Sequence, residues 1–159
     1  SDEKFLLMEK ADEDRIPKKV MRMFMCQYLL SKTYKDMFDE NKILSAYSDE
    51  TERFEAHHII PLGTVKKVGE STKKLRDDEK NICNSPLNFV YITKKANKEI
   101  SDESLKDYVQ KINAEAKAKL HITAYTNSDI PQDQVKQILR ERYDFLKGDI
   151  RERISTLLS

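Results

Sequence analysis

The sequence predicts an α+β domain, mainly α-helical, with a strand–long loop–strand–helix unit embedded between helical regions. Two stretches rich in β-formers, Phe54-Glu55-Ala56-His57-His58-Ile59-Ile60 and Phe89-Val90-Tyr91-Ile92, read as strands, the first stopped by Pro61. Around them, apolar residues recur at spacings of three and four from Val20 to Leu30, from Leu105 to Ile112 and from Leu139 to Leu157. Hydrophobic residues make up 38% and charged residues 36%, the balance of a helix-rich protein with a heavily charged surface. A chain of 159 residues is long enough for one core and short for two. One domain, 1–159, is therefore expected: an N-terminal helical region over 1–50, the strand–loop–strand–helix unit 52–101 with its loop 62–87, and a C-terminal helical region over 102–159.

The chain opens on Ser1-Asp2 rather than Met, which points to a domain excised from a larger protein with its missing portion on the N-terminal side. Phe5-Leu6-Leu7-Met8 is the one apolar cluster in a charged lead-in and reads as a short docking helix. Pro17 suits a first helical turn, and Val20 to Leu30 is apolar nearly all round, so this helix belongs in the core. Met21, Met23 and Met25 read as fillers of an irregular core rather than an adaptable binding surface. Lys32 to Asn41 continues or restarts helically with Tyr34, Met37 and Phe38 on one face; Ile43 to Tyr47 is a helix end or a strand, and Ser48 to Glu52 a connector.

Successive strand residues face opposite ways, so His57 and His58 cannot easily serve one ion together. Two neighbouring imidazoles imply two roles, one holding a metal and one taking a proton from water near neutral pH. Asn97, early in the helix after Thr93, offers a carbonyl oxygen as a second ligand. Asn88, polar in an apolar run, can bond loop backbone and fix the hairpin. Val65 to Asn81 has little to bury and is expected to be mobile, either closing its lysines over a phosphodiester backbone or standing as a surface insertion. From His57 to Lys98 nine Lys or Arg face four acids, a local balance of +5 within a net charge of +1, so the rest carries −4. A basic face on a mildly acidic body suits a phosphate-backbone substrate, and Lys94, Lys95 and Lys98, which flank Asn97, are the expected phosphate contacts.

The helix of Asn97 should end near Ile100, with Ser101 to Ser104 capping the next, which runs through Leu105, Tyr108, Val109 and Ile112 to about Lys119. His121 to Tyr125 reads as extended, with His121 structural rather than catalytic or else positioning the hairpin, and Asn127-Ser128-Asp129 as a turn. One long helix then starts near Pro131 and carries Leu139, Tyr143, Leu146, Ile150, Ile154 and Leu157 on its apolar stripe through Gly148, where it can bend. Arg140, Arg142, Arg151 and Arg153 line its polar side, solvated or ion-paired. Cys26 and Cys83 show no metal-ligand spacing and read as reduced thiols. No apolar run approaches the ~20 residues that span a bilayer and no secretory signal is present, so no membrane partner and a cytoplasmic location are expected.

His57-His58, Asn88, Asn97 and the β-then-α pattern between them resemble the HNH, or ββα-metal, nuclease family. The resemblance implies a metal-dependent endonuclease in which His57 is a metal ligand, His58 the general base, Asn88 the brace of the loop and Asn97 the second ligand. Many members keep glycines in the loop and CxxC pairs for a structural zinc, whereas here Gly63 and Gly69 are separated, Cys83 stands alone and the loop is long. An Asn on the helix resembles the HNH domains of CRISPR effector nucleases and points to a hard ion, Mg²⁺, with Mn²⁺ or Ni²⁺ able to substitute because imidazole favours later metals. DNA is the implied substrate, hydrolysed to a 5′ phosphate, and a single site implies nicking.

The segments His57-His58-Ile59-Ile60-Pro61, Ser85 to Ile92, Asn97-Lys98-Glu99-Ile100-Ser101 and a terminal helix with Arg142 and Leu157-Leu158 resemble the HNH region of bacterial restriction and anti-phage defence proteins of the GmrSD and SspE kind. This implies an upstream sensor domain as partner and a role in defence. Two other classes stay open from the residues: a DNA-binding scaffold with a dead hairpin, which would not cleave, and a nuclease toxin held by an inhibitor.

Overall fold

The computed structural model describes residues 18–33, 35–38, 44, 53–65, 67–100, 107, 109–122 and 132–159. Strands β1 (Phe54–His58) and β2 (Phe89–Thr93) pair antiparallel, with Phe54 opposite Thr93 and His58 opposite Phe89. Helix α1 (Lys18–Lys32) lies over β2 and the Pro86–Asn88 turn, and α3 (Lys94–Ile100) follows β2 directly and packs on both strands. Between the strands run a turn of 3₁₀ helix (Leu62–Val65), α2 (Thr72–Asp77) and two further 3₁₀ turns (Ile82–Asn84, Pro86–Asn88). Helices α4 (Ala114–Leu120) and α5 (Val135–Leu158) complete the described body, α4 against α1 and α5 against the two 3₁₀ turns. Among the described residues no helix is long and apolar enough to cross a membrane.

β2 sits at the centre because it is buried on both faces: Val90 and Ile92 are fully enclosed, and Phe89 and Thr93 nearly so. Such a strand needs a continuous apolar run, which Phe89 to Ile92 provides. Its end is fixed by Asp36, a buried carboxylate whose Oδ2 accepts from the Thr93 backbone N–H at 2.7 Å while Oδ1 accepts from Phe38 N–H at 2.7 Å. The Thr93 hydroxyl then accepts from Ala96 N–H at 3.1 Å and starts α3.

Several expectations are corrected. α1 is not enclosed all round: Met25, Tyr28 and Leu29 are buried, whereas Val20, Met23 and Phe24 are 53%, 56% and 46% exposed, because the sheet covers only one side of it. The helix ends at Lys32, and the chain turns through Asp36 instead of continuing helically. The loop from Lys67 to Asn81 buries little, as its composition implies, with Leu75 its one buried residue, but it is ordered into a helix. Ser71 caps α2 by accepting from Lys74 N–H, Leu75 is buried beneath it, and Leu62 and Cys83 join the core. The helical run read from Leu105 to Lys119 is interrupted after Val109 by a turn, and Asn113 caps a fresh helix at Glu115 and Ala116. On α5, Ile154 and Leu157 are 52% and 84% exposed because the helix runs on past the body that covers Val135 to Leu146. Arg142, in contrast, is buried on the apolar side. Phe5 to Met8, Tyr34, Ile43, Ala46-Tyr47, Ser101 to Ser104 and the turn near Ser128 lie outside the described residues.

α5 continues unbroken through Gly148, where an added Cβ would meet nothing within 4 Å. Gly148→Ala is therefore expected to stabilise the protein by about 1 kcal/mol, read as a higher urea midpoint at unchanged m-value.

Candidate active site

The pleat of β1 separates the two histidines. Glu55 and His57 share the face that meets α3, and there His57 Nδ1 lies 3.0 Å from Asn97 Oδ1, while Asn97 Nδ2 donates to Glu55 Oε2 at 3.0 Å. Because the amide nitrogen is taken by the carboxylate, the amide oxygen is what meets the ring, so Nδ1 is the donor in this state. His58 turns the other way, against the Phe89 ring at 4.5 Å between centroids, with its Nε2 2.9 Å from Asn84 Oδ1. The Arg22 guanidinium lies over the same Phe89 ring, 5.2 Å from its centroid.

Both histidines open on one cleft of about 680 Å³, whose walls include Glu55, Asn84, Asn97, Arg22 and Arg76. Burial pushes His57 down to about 4, opposed by its hydrogen bond to Asn97, assisted by His58 and opposed again by Asp36. Burial also lowers His58, against its hydrogen bond to Asn84 and with help from the Arg76 and Arg22 charges. Both rings are thus held in the neutral form in which one can bind a cation and the other accept a proton. His57 has a stability consequence. Its folded value lies below the ordinary 6.5, so the unfolded chain binds the extra proton first, and stability drains away as pH falls from about 6.5 to about 4. Metal-free protein is expected to lose up to about 3 kcal/mol across that window through this ring, read from urea midpoints, and His57→Gln should flatten the dependence.

Asn88 is wholly buried, and all its side-chain bonds go to backbone: Oδ1 accepts from Ile60 N–H at 2.9 Å, and Nδ2 donates to Ile60 O at 3.0 Å and Cys83 O at 2.8 Å. With Ile59 N–H on the Asn88 carbonyl at 2.9 Å, the end of β1 is clamped to the turn before β2. Arg142 holds the same turn from behind. Its Nη1 donates to Leu87 O and, at 3.0 Å, to Phe89 O, and its Nε and Nη2 reach Leu120 O at 3.3 and 3.2 Å.

Lys94, Lys95 and Lys98 lie on α3 beside Asn97 but are not among the residues lining the cleft; Lys95 is exposed, 3.9 Å from Glu99. Sequence reasoning does not single out the cations that line it, Arg22 and Arg76, nor does it reach Glu55 and Asn84. Glu55 is nonetheless legible, since it stands two residues before His57 and a strand puts such a pair on one face. His121, stacked on Phe145 at 3.9 Å and ending α4 with a positive φ of 50°, plays a structural role elsewhere. Both cysteines are free thiols.

Among the described residues no group of three or more His, Cys, Asp or Glu side chains gathers. The donors that do converge are an imidazole nitrogen, an amide oxygen and, through that amide, a carboxylate. This mixed set fits a hard divalent ion that keeps some of its water shell. No curated protein and no solved structure matches the chain. The family described as GmrSD restriction endonucleases, C-terminal domain, matches residues 2–147, which takes in both strands, the loop between them, Asn97 and Arg142. With nearly the whole chain matched, this protein belongs to the family of GmrSD restriction endonuclease C-terminal domains.

Proposed function

We propose that the chain is a metal-dependent endonuclease of the HNH type that nicks DNA, the effector of a restriction or anti-phage defence protein whose sensor lies in another domain. Family membership supports the nuclease class. The observation that carries the finer reading is the division of β1, with His57, Glu55 and Asn97 gathered on one face, His58 on the other, and one cleft open to both.

In this reading His58 takes the proton of the attacking water, its lowered pKa leaving the ring unprotonated and free to accept at neutral pH. His57, with its ring hydrogen moved to Nε2, and Asn97 would hold the ion through Nδ1 and Oδ1, and Glu55 would add the negative charge that two neutral donors lack. The ion, Mg²⁺ with Mn²⁺ or Ni²⁺ as substitutes, supplies Lewis-acid stabilisation of the phosphoryl oxygens. Arg22 and Arg76 attract the phosphate into the cleft, and Lys94, Lys95 and Lys98 contact the backbone beyond it. Asn88 keeps the two strand ends in register. The work is done on cytoplasmic DNA.

Supercoiled plasmid incubated with EDTA, Mg²⁺ or Mn²⁺ and resolved on agarose tests this. Open circles formed only with metal support a nickase; linear DNA would correct the nicking, and intact plasmid in every metal would favour the binding-scaffold alternative. Glu55→Gln is expected to raise the metal concentration for half-maximal cleavage about 10–100-fold, as loss of a metal-supporting carboxylate does elsewhere. A metal titration unchanged in that variant would remove Glu55 from the site.

A further inference from the structure

Asn84 is almost fully buried at the end of the loop, 26 residues from His58 in sequence, and its amide can sit in only one orientation. Its Nδ2 faces three backbone carbonyls, Leu75 O at 2.7 Å, Asp78 O at 2.8 Å and Arg76 O at 3.3 Å, all from the C-terminal end of α2. A flipped amide would put its oxygen against three acceptors. The group that meets His58 Nε2 at 2.9 Å is therefore the oxygen, which can only accept. A neutral imidazole has one N–H to give, and here Nε2 must carry it. Phe89, tilted 49° to the ring at 4.5 Å, opposes rotation.

We propose that Asn84 is a positioning residue for cleavage: its side-chain oxygen holds His58 as the Nε2–H tautomer, so that Nδ1 presents the lone pair to the attacking water. This rests on His58 as the base. The proton moves from water to Nδ1 as the water oxygen bonds to phosphorus and the phosphorus–oxygen bond to the 3′ oxygen breaks, the departing 3′ oxygen taking a proton from solvent water. On this view α2 is a fixture for the base, since the carbonyls at its C-terminal end set the amide that sets the ring. Mere anchoring of the loop would need the Nδ2 bonds alone and would be indifferent to which nitrogen of His58 carries hydrogen.

The tautomer is read directly from long-range ¹H–¹⁵N correlation spectra of metal-free protein labelled at histidine, at a pH where the rings are neutral. With three histidines in the chain, His58→Gln assigns the signals. The wild type should show a single Nε2–H pattern for His58, and Asn84→Ala a mixture of tautomers. The same variant should lose at least about tenfold in kcat with KM for plasmid within twofold, because base orientation and not DNA binding is affected. An Nδ1–H pattern in the wild type overturns the proposal without any variant. So does an Asn84→Ala protein of lowered Tm whose His58 stays Nε2–H and whose kcat per folded molecule is unchanged. A His58→Ala protein that still cleaves removes His58 as base and the proposal with it, whereas a dead His58→Ala beside an Nδ1–H wild type keeps the base and removes only the role of Asn84.

Discussion

His58→Ala is expected to lower metal-dependent plasmid cleavage by about 10²–10⁴-fold while DNA affinity stays within a factor of two. The size follows from the lack of a substitute nearby. His57 is engaged with Asn97 on the opposite face of β1, and His121 is stacked on Phe145 at the end of α4. Arg22 and Arg76 offer donors and no acceptor, yet they remain to attract phosphate, so the loss should appear in kcat. The fold should survive, since His58 is only half-buried and gives up one hydrogen bond and one ring contact. Initial nicking rates at saturating Mg²⁺, set beside fluorescence anisotropy with a labelled duplex, separate the two effects. Full activity in the variant would strike His58 from the mechanism.

Arg142→Ala should cost about 3–5 kcal/mol of stability, the largest effect expected of a residue outside the cleft. Arg142 is 1% exposed and its guanidinium serves the carbonyls of Leu87, Phe89 and Leu120. Its removal takes a donor from each buried carbonyl, at about 1–3 kcal/mol apiece where nothing replaces it, and leaves a cavity beside Leu139 and Leu146 on the same helix. Arg142→Lys keeps the charge but not the planar fork that spans carbonyls on two sides, and should recover less than half of the loss. Urea unfolding of the three proteins measures this; an Ala variant within about 1 kcal/mol of wild type would show that the turn holds itself.

The strand–loop–strand–helix order is legible because each piece has a local signature: β-formers before Pro61, an apolar run at Phe89 to Ile92, a helix after Thr93. The opposed histidines follow from strand periodicity alone. What escapes depends on partners far along the chain. Leu75 is a single apolar residue among lysines, and only the core beneath it makes α2 belong to the body. Arg142 reads with the solvated arginines, although it stands four residues from both Ile138 and Leu146 and so falls on the buried stripe. A cation there is at ease only because the backbone carbonyls around Asn88 need donors, which no periodicity reveals. Asn84 has no local signal, since its meaning lies in His58 on one side and the end of α2 on the other. The all-apolar α1 misleads because composition cannot say how many sides of a helix the fold covers.

The clamp on the Asn88 turn also sets an order of events during synthesis. Leu87 and Phe89 leave the ribosome 55 and 53 residues ahead of the guanidinium that holds their carbonyls. At about 5–20 residues per second, a nascent chain spends several seconds with both histidines and Asn97 already made but their scaffold unfinished. The polypeptide thus carries the groups of the proposed site before it can arrange them. Until Arg142 of α5 has been made and seated, the carbonyls of Leu87 and Phe89 lack the donor that holds them in the folded protein.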